Sequence, residues 1–145
     1  MKTSIFLAVF LIIFLTACDP YTGSFVANSS NEKIIVNIKY NRNNEIIKRY
    51  IKNYNGFEKS EKFIRNYYGS KENLIAIDSS KYIATVELNK KDTLGIWGGI
   101  RQSNNFDEIE EIVIHSNKKQ IIIKGGDIQD IFFEKSLGFY IYTVK

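Results

Sequence analysis

The chain has 145 residues, which fits one domain, and its formal net charge of +4 is spread along the sequence rather than gathered into a basic block. That mild excess does not favour nucleic acid as a partner. The single cysteine excludes an intramolecular disulfide, and the single histidine excludes zinc sites built from several histidines. The fold must therefore rest on the packing of apolar side chains.

The first 17 residues are predicted to form a helical signal peptide. Lys2 precedes an unbroken apolar run of eleven residues from Ile5 to Leu15. A signal peptide has an apolar region of roughly 7 to 15 residues, whereas a membrane-spanning helix needs about 20. The run is therefore expected to direct export and then to be removed.

The residues that follow resemble the lipobox of bacterial lipoproteins, in which small residues precede an essential cysteine. They are Leu15, Thr16, Ala17 and Cys18. The resemblance implies transfer of a diacylglyceryl group to the Cys18 sulfur and cleavage just before Cys18. We therefore expect the protein in the bacterial cell envelope, held by lipid to a membrane that the sequence does not specify as inner or outer.

After a short tether at 18–23, residues 24–145 are predicted to form one mainly β domain, a single antiparallel β-sandwich of immunoglobulin-like type. Short apolar or alternating runs are separated by turn-rich clusters, a pattern typical of antiparallel sheets. In the run 33–41, the alternating residues from Ile34 to Tyr40 are predicted to face a core. The predicted strands are 24–27, 33–41, 45–51, 74–77, 82–88, 93–97, 109–115, 120–124 and 138–144.

Two segments are predicted to contain short helical turns. Residues 58–68 space their apolar side chains with a period near 3.6, and Asp127 precedes a short apolar run in which it is expected to cap a turn. Residues 86–94 are similar to hairpins in many small immunoglobulin-like lipoprotein domains. This local resemblance supports the predicted sandwich.

Acidic residues are densest at Asp107, Glu108, Glu110 and Glu111. Paired carboxylates can serve glycoside hydrolysis or bind calcium. In a strand, however, Glu108 and Glu110 point to one side while Asp107 and Glu111 point to the other, so a solvated strand start is the favoured interpretation. His115, which ends the same strand, is expected to be an ordinary histidine on the solvent side.

Aromatic side chains are the best candidates for contact with a ligand or partner. Trp97 lies beside flexible glycines and could stack on a sugar together with Tyr67 or Tyr68, although a tryptophan at a strand end is more often in the core. Adjacent aromatic residues in a strand point to opposite faces, so some rings should be exposed and form a binding surface. Such pairs are Tyr67–Tyr68, Phe132–Phe133 and Phe139–Tyr140.

These observations favour a membrane-anchored lipoprotein that is not an enzyme and that binds another component of the envelope. Two other functions stay open. One is a glycan-binding module that uses Trp97, and the other is a hydrolase that uses the acids near Glu110. The sequence implies no cofactor and no metal site, because its titratable residues do not form the clusters that such sites need.

Overall fold

A computed structural model describes residues 21–61, 74–100, 106–117, 119–136 and 138–145. The predicted signal peptide, the lipobox and Cys18 lie outside these residues, as do Tyr67 and Tyr68. The described part folds mainly as β-strands, which confirms the predicted class. The strands are β1 (Tyr21–Asn28), β2 (Ile34–Tyr40), β3 (Leu74–Asp78), β4 (Ile83–Leu88), β5 (Thr93–Ile100), β6 (Ile109–His115), β7 (Gln120–Lys124), β8 (Phe133–Ser136) and β9 (Phe139–Val144).

The strands form two sheets, as expected for a sandwich. The four-stranded sheet has the order β5-β1-β9-β8, and the five-stranded sheet has the order β3-β4-β2-β6-β7. Strands β1 and β9 pair in parallel, while the other pairs are antiparallel. In immunoglobulin domains the first strand lies beside the second. Here β1 lies between β5 and β9, so the likeness to immunoglobulin domains covers the layers and not the strand connections.

The segment 86–94 is not a hairpin. Strand β4 belongs to the five-stranded sheet and β5 to the four-stranded sheet, so these residues form a corner that carries the chain between the two layers. The first strand starts at Tyr21, three residues before the predicted domain boundary at residue 24. The link between Cys18 and the folded domain is therefore shorter than the predicted tether.

The core lies between the sheets and confirms the period-two interpretation of β2. Ile34, Val36, Ile38 and Tyr40 are all buried. Burial of each such side chain contributes about 2 kcal/mol to the hydrophobic stabilisation of the fold. The residues that meet them from the other strands are Val26, Ala84, Val86, Leu88, Leu94, Ile96, Ile109, Ile112, Ile114, Ile123 and Val144.

The segment 45–51 was expected to be a strand, and this prediction is wrong. Residues Glu45–Asn53 form a helix, α1, which buries Ile47 and packs three half-buried neighbours against the core. The apolar positions 46, 47, 50 and 51 recur with the helical period, so they lie on one face of α1. Asn44 starts the helix, because its Oδ1 accepts hydrogen bonds from the backbone N–H groups of Ile46 (2.8 Å) and Ile47 (3.3 Å).

Replacing Asn44 with alanine should lower the free energy of unfolding by about 1 kcal/mol, because two N–H groups of the first turn lose their acceptor. Asn44→Ser is the matched control, since a serine side chain caps helices about as well as asparagine. Thermal unfolding followed by circular dichroism measures both variants. Equal midpoints for the alanine and serine variants would contradict the assigned cap.

The other helical predictions have mixed outcomes. Residues 57–61 are helical, while residues 62–68 of the predicted segment 58–68 lie outside the described residues. Phe57 packs its ring against Tyr40 and Tyr82 at centroid distances of 5.6 and 5.0 Å. A 3-10 turn at Gly125–Asp127 runs into a short helix at Ile128–Ile131, as predicted, but Asp127 makes no side-chain capping bond. Among the residues described, no helix is both long and apolar enough to cross a bilayer.

Candidate functional site

The described structure does not test the aromatic residues proposed for glycan stacking. Trp97 lies in β5, where its backbone is the partner of Ser24 in β1. Tyr67 and Tyr68 fall outside the described residues. The sugar-binding platform therefore stays a prediction.

The acidic cluster is dispersed by the local backbone. Strand β6 begins at Ile109, after a turn that contains Asp107 and Glu108, and the pairing of β2 with β6 shifts register next to Ile109. Glu110 and Glu111 lie on the strand and each forms an ion pair with a lysine of a neighbouring strand. The expected alternation, with Glu108 and Glu110 on one side, is therefore wrong.

Two of the acids that the hydrolase hypothesis invokes, Glu110 and Glu111, form ion pairs with lysines. Lys39 Nζ lies 2.5 Å from Glu110 Oε1, and Lys124 Nζ lies 3.7 Å from Glu111 Oε2. Glycosidases use two carboxyl groups that face one another across the substrate. In the contacts described here, Glu110 and Glu111 each face a lysine, which favours the solvated interpretation. The hydrolase stays a prediction.

Glu108 departs from the predicted solvated position, because only 3% of it is exposed. Its Oε2 is buried and has no hydrogen-bond partner among the described residues. Burial raises the pKa of the Glu108 carboxyl group, and the charge of Asp107 raises it further, while a backbone N–H opposes the shift. Ionisation of Glu108 therefore lowers the stability of the folded protein.

Replacing Glu108 with glutamine should stabilise the protein at neutral pH by about 1 kcal/mol. The folded-state pKa lies above the unfolded value of about 4.3, so the folded state binds the proton more tightly. The stability that protonated Glu108 contributes is thus fully present below the unfolded-state pKa. It is lost as the pH rises through the folded-state pKa. Thermal unfolding from pH 4 upwards measures the effect.

The gain from Glu108→Gln should fade near pH 4, where glutamic acid is also uncharged. Glu110→Gln is the matched control, because Glu110 is exposed and its ion pair contributes little. A gain for Glu108→Gln that is the same at all pH values would show that charge burial is not the cause.

The outer face of the five-stranded sheet carries a polar row across three strands. Asn37 of β2 lies at its centre, with its Nδ2 at 3.3 Å from His115 Nε2 and its Oδ1 accepting a 2.9 Å hydrogen bond from Thr85 Oγ1. His115 is half-buried on the face opposite the core. The predicted orientation of His115 is confirmed, but its contact with Asn37 was not foreseen.

Apolar side chains flank this polar row on the same face. Ile35 and Ile122 are 38% and 54% exposed. Ile122 is the cross-strand partner of Val113, and Ile35 is the partner of His115, two residues further along β6. Ile35 and Ile122 therefore lie on either side of β6, and each is diagonal to one of these two β6 residues. We call this surface the polar sheet face and define it by Ile35, Asn37, Thr85, Val113, His115 and Ile122.

A shallow cavity of about 610 Å³ adjoins the polar sheet face. Its lining includes the cations Lys39, Arg42 and Lys81 and the carboxylates Glu110 and Glu111. Lys81 Nζ also lies 3.6 Å from Asp78 Oδ2. The cavity therefore offers charges of both signs to a polar partner rather than a closed apolar pocket.

The outer face of the four-stranded sheet has a different chemistry. Phe25 of β1 is the partner of Ile141 in β9, and Ile141 is the partner of Phe133 in β8. Phe139 stacks on Phe25 with ring centroids 6.0 Å apart, and Phe133 is 79% exposed. We call Phe25, Phe133, Phe139 and Ile141 the aromatic face. The expected split is confirmed for the pair Phe132–Phe133, since Phe132 is buried while Phe133 is exposed, whereas Tyr67–Tyr68 lies outside the described residues.

Within the described ranges, no group of three or more histidine, cysteine or acidic side chains is placed to hold a metal ion. The described residues instead form two candidate binding surfaces, the polar sheet face and the aromatic face. In comparisons with known proteins, no family model, no curated protein and no solved structure matches this chain.

Proposed function

We propose that this protein is a bacterial lipoprotein, anchored to an envelope membrane through lipid on Cys18, that works by binding another envelope protein and not by catalysis. The anchor is inferred from the apolar run and from the lipobox residues Leu15 to Cys18. The binding role is inferred from the surfaces of the folded domain.

One observation carries the binding role, namely that the polar sheet face combines exposed isoleucines with a side-chain network that is already in place. Ile35 and Ile122 offer apolar area, and the row from Thr85 to His115 is held by its own hydrogen bonds. Non-obligate protein interfaces have this mixed character, with apolar anchors among polar groups. A preformed surface also limits the entropy lost on binding.

The charges around the polar sheet face favour a protein partner with charges of its own. Lys33 pairs with Glu87, and Lys39 pairs with Glu110, both in exposed positions. Exposed pairs of this kind add little to stability. They can instead set the orientation of a partner whose charges are complementary.

The test compares the full-length lipidated protein with two variants in pull-downs from detergent-solubilised membranes of the native bacterium. Ile35→Glu combined with Ile122→Glu places two charges on the polar sheet face. Arg49→Glu is the matched control, because Arg49 is exposed on α1, outside that face. Circular dichroism establishes that all three proteins are folded.

We expect an envelope protein that is retained by the wild type and by Arg49→Glu and is lost with the double variant. A central apolar contact of an interface is commonly worth 1 kcal/mol or more, so two buried charges should reduce binding by about tenfold or more. Retention of the same proteins by all three, or of none by the wild type, would contradict the proposal.

A further inference from the structure

The aromatic face belongs to the sheet that lies closest to the predicted anchor along the chain. Strand β1 starts at Tyr21, and only two residues separate Tyr21 from Cys18. Three residue steps span at most about 11 Å. If Cys18 carries lipid, as the proposed function holds, the start of β1 is confined to the headgroup region of the bilayer or just above it.

The outward positions of this sheet suit contact with lipid. Phe25, Ile141 and Phe133 form one row across three strands, and Phe139 extends the row towards the start of β1, where it is the partner of Gly23. Among the described side chains of this face, none is charged. Other positions in register with this row include Gly23, Ala27, Thr93, Gly95, Gly98 and Thr143.

The outer face of the opposite layer carries ion pairs beside its exposed isoleucines, which gives the domain two unlike sides. Ion pairs join Lys33 to Glu87 and Lys124 to Glu111 on the five-stranded sheet. An apolar side with an opposing charged side is the pattern that places amphipathic elements at a membrane surface. The difference selects the aromatic face, rather than the polar sheet face, for the membrane.

Two lysines lie beside the most exposed ring of the aromatic face. Lys119 and Lys145 line a cavity of about 430 Å³ together with Phe133 and Tyr142. Both lysines are exposed. A lysine near the surface of an anionic membrane contributes roughly 1 kcal/mol to attraction, and aromatic rings settle at the level of the headgroups. The lysines near Phe133 therefore suit the negative charge of an anionic lipid surface, and the ring of Phe133 suits its headgroup region.

We propose that the four-stranded sheet lies flat against the bilayer, with the rings of the aromatic face in the headgroup region. The polar sheet face then points away from the membrane, where an envelope protein can reach it. This inference rests on the proposed anchor at Cys18. In an upright orientation, by contrast, Phe25 would lie about 13 Å further from the membrane than Tyr21, because Phe25 is four residue steps further along the strand.

The test uses the full-length lipidated protein in vesicles of phosphatidylethanolamine and phosphatidylglycerol. A single new cysteine is introduced at Phe133, in Phe133→Cys, and labelled with an environment-sensitive fluorophore. Ile122→Cys is the matched control, since Ile122 is also exposed but lies on the polar sheet face. Thr143→Cys gives a second reporter on the sheet that carries Phe133. A lipid spin-labelled near its headgroup is then added to the vesicles as a quencher.

We expect quenching at residues 133 and 143 to be at least about twofold stronger than at residue 122. In the proposed orientation only residues 133 and 143 lie in the headgroup region, where interfacial side chains reach a depth of about 5 to 10 Å. Equal quenching at all three positions would overturn the orientation while leaving the anchor intact. The wild type tests the anchor separately, because acylated Cys18 accepts no fluorophore. A wild type that is labelled at Cys18 and does not float with the vesicles would overturn the anchor itself.

Discussion

Gly125→Ala is expected to destabilise the protein by about 3 kcal/mol, because an added methyl group has no room there. A Cβ on Gly125 would lie 2.0 Å from the carbonyl oxygen of Ile109 and 3.3 Å from that of Glu110. Both atoms belong to the backbone of β6, which cannot rotate away as a side chain can. The turn after β7 would have to move off β6 and loosen the contacts around Ile128.

Gly126→Ala is the control for this prediction, since the neighbouring glycine is in the same turn and has no atom within 4 Å of its ideal Cβ. That substitution should leave stability unchanged or raise it by about 0.5 kcal/mol, because alanine has less freedom in the unfolded chain. Thermal unfolding of the full-length protein, followed by circular dichroism, measures both variants. Similar midpoints for the two alanine variants would contradict the close approach of Gly125 to β6.

The second large effect is expected for Asn28→Asp, which should cost at least about 3 kcal/mol at neutral pH. Asn28 is 1% exposed at the end of β1. Its Nδ2 donates to the carbonyl oxygens of Glu32 (2.8 Å), Leu88 (3.1 Å) and Asn89 (3.1 Å), and its Oδ1 accepts from Ser30. An aspartate would place a buried negative charge against three oxygens and remove their donor.

Asn31→Asp is the matched control, because Asn31 is exposed in the same loop and the charge change is identical. The loss for Asn28→Asp should shrink at acidic pH, where a protonated carboxyl group can donate one hydrogen bond. The unfolding midpoints of both variants at neutral and acidic pH measure this difference. If Asn28→Asp and Asn31→Asp have the same unfolding midpoint at neutral pH, the buried hydrogen-bond network assigned to Asn28 is wrong.

Much of the fold can be predicted from local alternation of apolar residues. The residues from Ile34 to Tyr40 alternate strictly, and their burial follows from the period of two. Strands β6 and β7 also have the predicted bounds, because turn-rich residues at 116–119 and 125–126 separate these short apolar runs. Pairing between distant strands leaves no such local signal, so neither the position of β1 between β5 and β9 nor the existence of β8 was predicted.

The helix α1 was missed because its β-branched isoleucines favour a strand when composition is weighed alone. The pairs Ile46–Ile47 and Tyr50–Ile51 lie four residues apart, and Asn44 precedes them as a cap. Those signals together indicate a helix. The spacing of the apolar pairs, read with the capping residue, would have identified α1.

The candidate surfaces were only partly predictable. Alternation placed His115 on the outer side and split Phe132 from Phe133, and both predictions are confirmed. The contact of His115 with Asn37, 78 positions away, depends on the pairing of β2 with β6. The burial of Glu108 depends on the turn before β6, since a residue outside the strand does not follow its alternation.

The lipid anchor is tested most directly by the intact mass of the protein in fractionated cells that express the wild type or Cys18→Ser. We predict a wild type in the membrane fraction that begins at Cys18 and carries acyl chains, and a Cys18→Ser variant that keeps residues 1–17 and carries no lipid. If both proteins are instead processed to the same free, unlipidated product, Cys18 is not an anchor and the protein is not a lipoprotein.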